Sequence, residues 1–159
     1  MPPTIYIDAD ACPVKNEVYR VAERWGLRVI LVANSPMRVP ERDWVSLVLV
    51  EKKADAADRW ITERAVAGDV VVTNDILLAN QLIKENAAVP IAPNGKAFTP
   101  DNIGEALARR DFAEQLREWG GPETGPPPFT KADRSRFLHT LHAVLEKQRR
   151  EKEQDGAAS

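Results

Sequence analysis

Cysteine, aromatic residues and net charge are all scarce in this chain, and each scarcity excludes a class of protein. The single cysteine, Cys12, rules out an internal disulfide and any zinc site built from cysteines alone. Only 6% of the 159 residues are aromatic, so no platform for stacking nucleic-acid bases is evident. The 22 basic and 24 acidic residues leave a net charge of −2. A polyanionic partner would therefore need a local basic surface.

Long apolar runs are also missing. No stretch approaches the roughly 20 residues that span a bilayer, which excludes a membrane-spanning helix. The first four residues show no basic region followed by an apolar stretch, and so no secretory signal. With one cysteine as well, these features predict a cytoplasmic protein that makes no membrane contact. The length predicts about one domain, and nothing in the pattern indicates an oligomeric state.

The chain does contain a regular alternation of short apolar runs and amphipathic stretches. The apolar runs predict strands at 4–7, 29–33, 45–50, 70–72 and 89–92. Between them, apolar residues recur at helical spacing and predict helices at 13–26, 55–68 and 76–85. Continuous apolar strands separated by helices favour a parallel sheet covered on both faces. The predicted fold class is α/β, a three-layer α/β/α arrangement with a mainly parallel, doubly wound sheet.

The last third of the chain is predicted to be helical. A helix is expected over 100–119, with an apolar side formed by Ile103, Leu107, Phe112 and Leu116. The segment at 120–128 is rich in glycine and proline and can be neither helix nor central strand. A final helix is expected from Thr130.

These patterns predict the domain organisation. A single domain is expected over 1–150, with a core at 1–97 and a C-terminal helical extension at 99–150. The remaining residues, 151–159, are expected to be a disordered tail.

Acidic residues stand where the predicted strands end. Five aspartates follow three of the strands, in the order Asp8, Asp10, Asp55, Asp58 and Asp75. The carboxyl ends of parallel strands share the edge where ligands of open α/β sheets bind, so we expect these carboxylates to meet. Carboxylates this close repel one another unless a cation lies among them, and Mg²⁺ or Mn²⁺ suits oxygen ligands. The pattern favours metal-assisted attack of water on a phosphate ester.

Helix capping is the competing explanation, because aspartate is a favoured N-cap residue and these acids precede or open helices. Asp55 and Asp58 have the spacing of a capping box, and Asp75 stands at the start of a helix. Asp8 lies outside the helix that follows it and has no capping role. The cluster as a whole is therefore stronger evidence for a site than any one of its members.

Several segments closely resemble the bacterial YaiI/YqxD family, an uncharacterised family also designated UPF0178 or DUF188. These segments are IYIDADACPVK at 5–15, VANS at 32–35, DAAD at 55–58, GDVVVTND at 68–75 and DRSRFL at 133–138. The resemblance extends to about residue 145. The family is itself similar to PIN-like nuclease domains, whose sites hold three or four acids at the carboxyl edge of a parallel sheet and bind Mg²⁺ or Mn²⁺. The resemblance thus implies that the predicted domain is PIN-like.

The same resemblance implies a metal-dependent nuclease, with RNA as the favoured substrate. By position, Asp8 matches the acid of the first strand and Asp75 the acid of the fourth. Either Asp55 or Asp58 matches the middle acid. We predict Asp8, Asp55 and Asp75 as the catalytic residues and direct ligands of Mg²⁺ or Mn²⁺. Asp10 and Asp58 are predicted to be further ligands or to orient them.

Polar and basic residues are predicted to contact the substrate near this edge, namely Asn34, Ser35, Thr73, Lys15, Arg134 and Arg136. Arg134 and Arg136 open the last helix, where a basic wall would help a negatively charged substrate to approach negative carboxylates. Two alternatives stay open for this pair. They form an ordinary solvated helix face, or one of them folds back over the edge of the sheet and pairs with an acid.

Two other functions stay open. The segment Asp8-Ala9-Asp10 also resembles the motif of haloacid-dehalogenase phosphatases, in which the first acid is a nucleophile and the second a general acid. That function needs a later lysine and a further pair of acids. A non-catalytic protein of the same fold would bind nucleic acid without metal. A nucleophilic Cys12 is disfavoured by the nearby carboxylates, and the histidines at 139 and 142 are expected to be solvated.

Overall fold

A computed structural model describes residues 2–10, 12–121 and 128–158 of the chain. Its elements are β1 (Ile5–Asp8), α1 (Lys15–Trp25), β2 (Val29–Ala33), β3 (Val45–Leu49), α2 (Ala56–Thr62), β4 (Val70–Val72), α3 (Ile76–Gln81), a π-helical turn (Leu82–Asn86), β5 (Val89–Ile91), α4 (Ile103–Glu118) and α5 (Lys131–Ala158). Most of the predicted glycine- and proline-rich segment, at 122–127, lies outside the described residues. None of the helices in the described ranges is both long and apolar enough to cross a bilayer.

In the described part of the chain, five strands form one sheet in the order β3-β2-β1-β4-β5. Each neighbouring pair is parallel. β1 lies at the centre, so the chain first builds β2 and β3 on one side of it and then returns to build β4 and β5 on the other. The predicted α/β class with a parallel sheet is confirmed.

Helices cover both faces of this sheet. Successive residues of β1 point to opposite faces, as the pleat of a strand requires. Ile7 packs on the face covered by α1 and α5, in one cluster with Phe137. Tyr6 packs on the other face, in a cluster with Ile61 of α2 and Leu78 of α3. The three-layer α/β/α arrangement is therefore confirmed.

α4 packs over only part of its length, which corrects its predicted apolar side. Ile103 and Ala106 are buried in a cluster with α3. Phe112, Leu116 and Trp119 are instead 60%, 42% and 77% exposed. The helix has 16 residues whereas α3 has 6. Its length of about 24 Å therefore carries the second half beyond the surface that covers its first turns.

The last helix, α5, contributes to the main core. Phe137, Leu141 and Leu145 lie on one of its faces and are at most 2% exposed. Its close approach depends on Gly95, where φ is +94° and an added Cβ would lie 2.7 Å from the Arg136 carbonyl carbon. The helix continues to Ala158, so it includes residues that the sequence predicts as a disordered tail. The core is consequently larger than the predicted 1–97, because the apolar stripe of α5 covers the sheet.

A buried ion pair joins α5 to α1. Arg134 Nη1 donates to Glu17 Oε1 over 2.7 Å and to the carbonyl oxygen of Pro13 over 3.1 Å. Arg20 is a second partner of the same Glu17 oxygen, at 3.3 Å. The Glu17 side chain is only 4% exposed, and its Oε2 has no hydrogen-bond partner within the described ranges. A carboxylate buried this deeply depends on its remaining partners.

Replacing Arg134 tests this ion pair. We expect Arg134→Met to lower the free energy of unfolding by about 2 kcal/mol, because Glu17 stays buried while it loses its shortest charged contact. Urea denaturation measures the change. The matched control is Arg136→Met, since Arg136 pairs with Asp133 of its own helix and is exposed; we expect it to change stability little. Equal losses in the two variants would contradict a structural role for the Glu17 contact.

Candidate active site at the carboxyl edge of the sheet

The crevice between β1 and β4 is the topological switch point of the sheet. The connection leaving β1 crosses one face through α1, whereas the connection entering β4 crosses the other face through α2. Ligands of open α/β sheets bind outside the carboxyl ends of the strands at such a reversal. A cleft of 340 Å³ lies here, lined by Asp8, Asp10, Cys12, Thr73, Asn74, Asp75 and Pro93.

Thr73 connects the acids that follow β1 and β4. The register pairs Ile7 with Val72, so Asp8 and Thr73 are the next residues on adjacent strands. Thr73 Oγ1 donates to Asp8 Oδ2 over 2.9 Å and accepts from the backbone N of Asp75 over 3.0 Å. A hydroxyl has one proton to donate. Thr73 is 2% exposed, so it positions Asp8 and has no donor left for the predicted contact with substrate.

Asp75 both caps α3 and faces the cleft. Its Oδ1 accepts from the backbone N of Leu77 over 2.9 Å and of Leu78 over 3.2 Å. Its charge also helps to raise the pKa of Asp58, so the two carboxyl groups lie close together. The capping and site explanations are therefore compatible at this residue, and the cap fixes the direction of the carboxyl group.

α2 brings Asp58 to the cluster, whereas Asp55 points elsewhere. Asp55 precedes the first residue of α2 but makes no side-chain capping bond. Its Oδ2 accepts from Arg59 Nη2 over 2.8 Å, and its side chain is 67% exposed. That hydrogen bond and the charge of Arg59 lower the pKa of Asp55. Of the two predicted alternatives for the middle acid, the structure places Asp58 beside Asp75.

Burial and repulsion raise the pKa values of two of these acids. Burial contributes most to the pKa of Asp58, which rises to about 7, and the charge and hydrogen bond of Asp75 come next. Burial also raises the pKa of Asp8. The hydrogen bond from Thr73 partly opposes this effect, and the charges of Asp75 and Asp10 add to it. Clefts that hold carboxyl groups with raised pKa values are candidate functional sites.

These shifts predict that stability falls as the pH rises towards neutrality. The ordinary pKa of Asp58 is 3.8 and its folded value is about 7. Between these values the folded protein holds a proton that the unfolded chain releases, so each increase in pH favours unfolding. Without divalent ions, we expect the Tm of the wild type to fall between about pH 4 and 7. The Tm of Asp58→Asn should fall less over the same range.

Thermal unfolding across that pH range measures the difference between the two proteins. Asp55→Asn is the matched control, because Asp55 lies in the same DAAD segment but is exposed and paired with Arg59. Asp55→Asn should therefore show the same fall in Tm with rising pH as the wild type. Parallel Tm profiles for the wild type and Asp58→Asn would show that Asp58 ionises normally.

Asp10 lies at the same edge but contacts the end of β2. Its Oδ2 accepts from the backbone N of Asn34 over 3.1 Å, and Asn34 Oδ1 accepts from Ser35 Oγ over 3.2 Å. Asp10 and Asn34 are exposed. Contacts of Asn34 and Ser35 with substrate stay predictions, and both residues lie on the β2 side of the cleft.

The predicted basic contacts are only partly beside the cleft. Arg134 pairs with Glu17 and Arg136 with Asp133, so the alternative in which these residues pair with acids applies, although neither acid belongs to the cleft. Lys15 Nζ donates to the carbonyl oxygen of Ala9 over 3.3 Å, close to the end of β1. Lys15 therefore lies nearer to the acids than either arginine.

Cysteine and histidine do not provide another reactive group here. Burial raises the pKa of the Cys12 thiol, which keeps it in the less reactive protonated form. His139 is exposed, and the ring of His142 lies 6.4 Å from the ring of Trp25. Neither histidine lines the acidic cleft.

The acids of the cleft fit a largely hydrated cation better than an ion held by all five predicted aspartates. Across residues 2–10, 12–121 and 128–158, no three Asp, Glu, His or Cys side chains form a group that could hold a metal ion. The five predicted ligands therefore do not make such a group. Mg²⁺ commonly binds one or two carboxylates and keeps several waters. Asp8 and Asp75 line the cleft together, and the charge of Asp75 helps to raise the pKa of Asp8, so these two carboxylates offer the oxygen ligands that such an ion needs.

A second cleft beside the first contains residues that the sequence analysis missed. It has a volume of 320 Å³, and its basic residues are Lys96, Arg109 and Arg110. Asn74 lines both clefts. Lys96 follows β5 and the two arginines belong to α4, so only the packing of α4 brings them to this edge. Two adjacent arginines on an amphipathic helix are common on solvent-exposed faces. The sequence therefore gives no indication that this pair belongs to a site.

Comparisons with known proteins identify extensive similarity. A family model described as "Uncharacterized BCR, YaiI/YqxD family" matches residues 6–147. A UPF0178 protein of Sphingopyxis alaskensis is 53% identical over 144 residues, which cover 90% of this chain and 93% of the relative. UPF0178 proteins of Rhodospirillum centenum and Caulobacter vibrioides are 51% and 49% identical, covering 92% of this chain and 97% and 95% of the relatives. No solved structure matches the chain. The matched region includes all five acids.

Proposed function

This chain belongs to the YaiI/YqxD family of UPF0178 proteins, as its motifs predict, and we propose that it is a divalent-metal-dependent phosphodiesterase of the nuclease type that acts on RNA. The observation that carries the proposal is the cleft at the switch point, which Asp8, Asp10 and Asp75 line together and where Asp58 lies close enough to Asp75 for their charges to interact. Three separate segments supply these acids to the switch point. No basic side chain lines the cleft within the described ranges. Such an excess of negative charge supports the binding of a cation.

The chemistry follows from the type of ligand available. Mg²⁺ or Mn²⁺, when bound, would lower the pKa of a water molecule and neutralise charge on the phosphate oxygens. Asp8 and Asp75 would hold the ion, because Thr73 fixes the carboxyl group of Asp8 and the capping bonds fix that of Asp75. Asp58 would orient Asp75, which is one of its two predicted roles, and Asp10 would stand at the open side of the cleft. The choice of RNA rests on the resemblance to PIN-like nucleases.

Binding of Mn²⁺ tests the metal site directly. At about 100 times its Kd, Mn²⁺ should raise the Tm by about 5 °C or more, since it stabilises only the folded state. The rise should be larger at pH 8 than at pH 6 (both about one unit from the pKa of Asp58), because Asp58 must release its proton before its charge can help to attract the ion.

Matched variants show which acids are responsible. Asp8→Asn should abolish the rise and Asp58→Asn should reduce it, whereas Asp55→Asn should keep it because Asp55 already pairs with Arg59. Asparagine preserves the size of the side chain and its acceptor for Thr73. A full Mn²⁺ shift in Asp8→Asn would refute this assignment.

Hydrolysis is tested with a labelled single-stranded RNA. We expect cleavage that requires Mn²⁺ or Mg²⁺ and falls at least about a hundredfold in Asp8→Asn and in Asp75→Asn, since each loses a charged ligand of the ion. Asparagine is nearly as good an N-cap as aspartate, so Asp75→Asn should still cap α3. Asp55→Asn should cleave at the wild-type rate. Gel separation of the products measures the rates.

Two other experimental results would replace the nuclease proposal with one of the alternatives. Turnover of a small phosphate monoester with a trappable phosphate on Asp8 would identify the phosphatase alternative. Asp10 gives that alternative less support, because it accepts a hydrogen bond from Asn34, and no lysine lines the cleft within the described ranges. RNA binding without cleavage in any divalent ion would identify the non-catalytic alternative.

A further inference from the structure

We propose that the cleft lined by Lys96, Arg109 and Arg110, here termed the cationic groove, binds the phosphodiester backbone of single-stranded RNA beside the acidic cleft. This inference rests on the proposed function and names the surface that holds its substrate. The two clefts meet at Asn74, which lines both. A strand that follows the cationic groove would therefore reach the acids of the switch point.

The floor and the rim of the cationic groove differ in chemistry. Its floor includes Ala92, Phe98 and Ala106, which are between 4% and 7% exposed. The three basic side chains supply positive charge, and Asn74 and Asn94 add amide groups. No acidic side chain lines the groove in the described part of the chain. An apolar floor with a cationic rim suits a ligand that alternates sugars and bases with phosphates.

The basic groups can exchange their present contacts for phosphate. Arg109 pairs with Glu105, and Arg110 Nη2 lies 3.0 Å from Glu114 Oε1, each within one turn of α4. Exposed pairs of this kind contribute little to stability, whereas arginine binds phosphate with two parallel hydrogen bonds. Lys96 Nζ lies 5.9 Å from the centre of the Phe98 ring and takes part in none of the ion pairs among the described residues.

The opposite charges of the two clefts indicate why both are needed. The acidic cleft alone repels an approaching phosphate, and the net charge of the chain is −2, so the molecule as a whole does not attract a polyanion. The positive charge of the cationic groove, directly next to the acids, attracts phosphate to this part of the surface. A groove of 320 Å³ accommodates part of one strand, and its apolar floor can contact bases only where they are unpaired. The ligand that fits is consequently a single strand.

Binding of a fluorescein-labelled oligouridylate in EDTA, followed by fluorescence anisotropy, tests the groove without metal or cleavage. We expect the triple variant Lys96→Gln, Arg109→Gln, Arg110→Gln to bind about tenfold more weakly than the wild type. The slope of log K against log salt should shrink by about 2, because about three phosphate contacts are lost. Lys96→Gln alone disrupts no ion pair on α4. It should decrease the RNA affinity and the salt slope by less than the triple variant does.

Two controls separate the groove from general charge effects. Arg117→Gln with Lys84→Gln removes two exposed basic groups that do not line the groove and should leave affinity within about twofold. The charge-preserving triple variant Lys96→Arg, Arg109→Lys, Arg110→Lys should keep the wild-type salt slope. Unchanged affinity in the glutamine triple variant, or equal losses in the Arg117/Lys84 control, would overturn the proposal.

The outcome is independent of the metal experiments. If Mn²⁺ binding and cleavage fail while the glutamine triple variant still loses RNA affinity in EDTA, the nuclease function is wrong and the cationic groove remains an RNA-binding surface. If cleavage depends on Asp8 but RNA affinity does not depend on the groove, the groove proposal alone is wrong.

Discussion

The parallel pairing of β1 with β4 is the constraint on which the candidate site depends. These strands are separated by more than 60 residues of chain, and their register sets Asp8 beside Thr73. The hydroxyl of Thr73 then links Asp8 to the backbone of Asp75. A shift of this register by one residue would turn Asp8 or Thr73 towards the opposite face of the sheet. The apolar core that fixes the register therefore also fixes the geometry of the acids.

The acids of the cleft are placed against their own electrostatic preference. Asp69, at the opposite edge, is also buried, but its two oxygens accept from the backbone N of Thr4 and of Val66, each over 2.9 Å. It is a satisfied structural residue. Asp58 is instead partly buried near the charge of Asp75, and burial followed by this charge raises its pKa to about 7. A fold gains no stability from that arrangement, and the proposed cation would relieve the repulsion between the acids.

The fold was largely predictable because apolar periodicity reports which face of an element is buried. It was less informative for α4, where Phe112 and Leu116 continue the stripe of Ile103 but are exposed. The position of Asp8, Asp10 and Asp75 at one cleft was predictable, since parallel strands share an edge. From their spacing alone, Asp55 and Asp58 were equally good candidates for the middle acid. The structure separates them, because Asp55 pairs with Arg59 one turn later in the helix.

By itself the sequence determined the family, the α/β class and the edge at which the acids gather, because these depend on motifs, strand content and the common direction of parallel strands. Tertiary structure alone decided which acid faces Asp75, that Arg134 neutralises Glu17, and that α4 sets Arg109 and Arg110 beside the acidic cleft. The physical reason is the same in each case. Side-chain charges act over a few ångströms, and distances of that order between remote segments are set by how helices pack on the sheet.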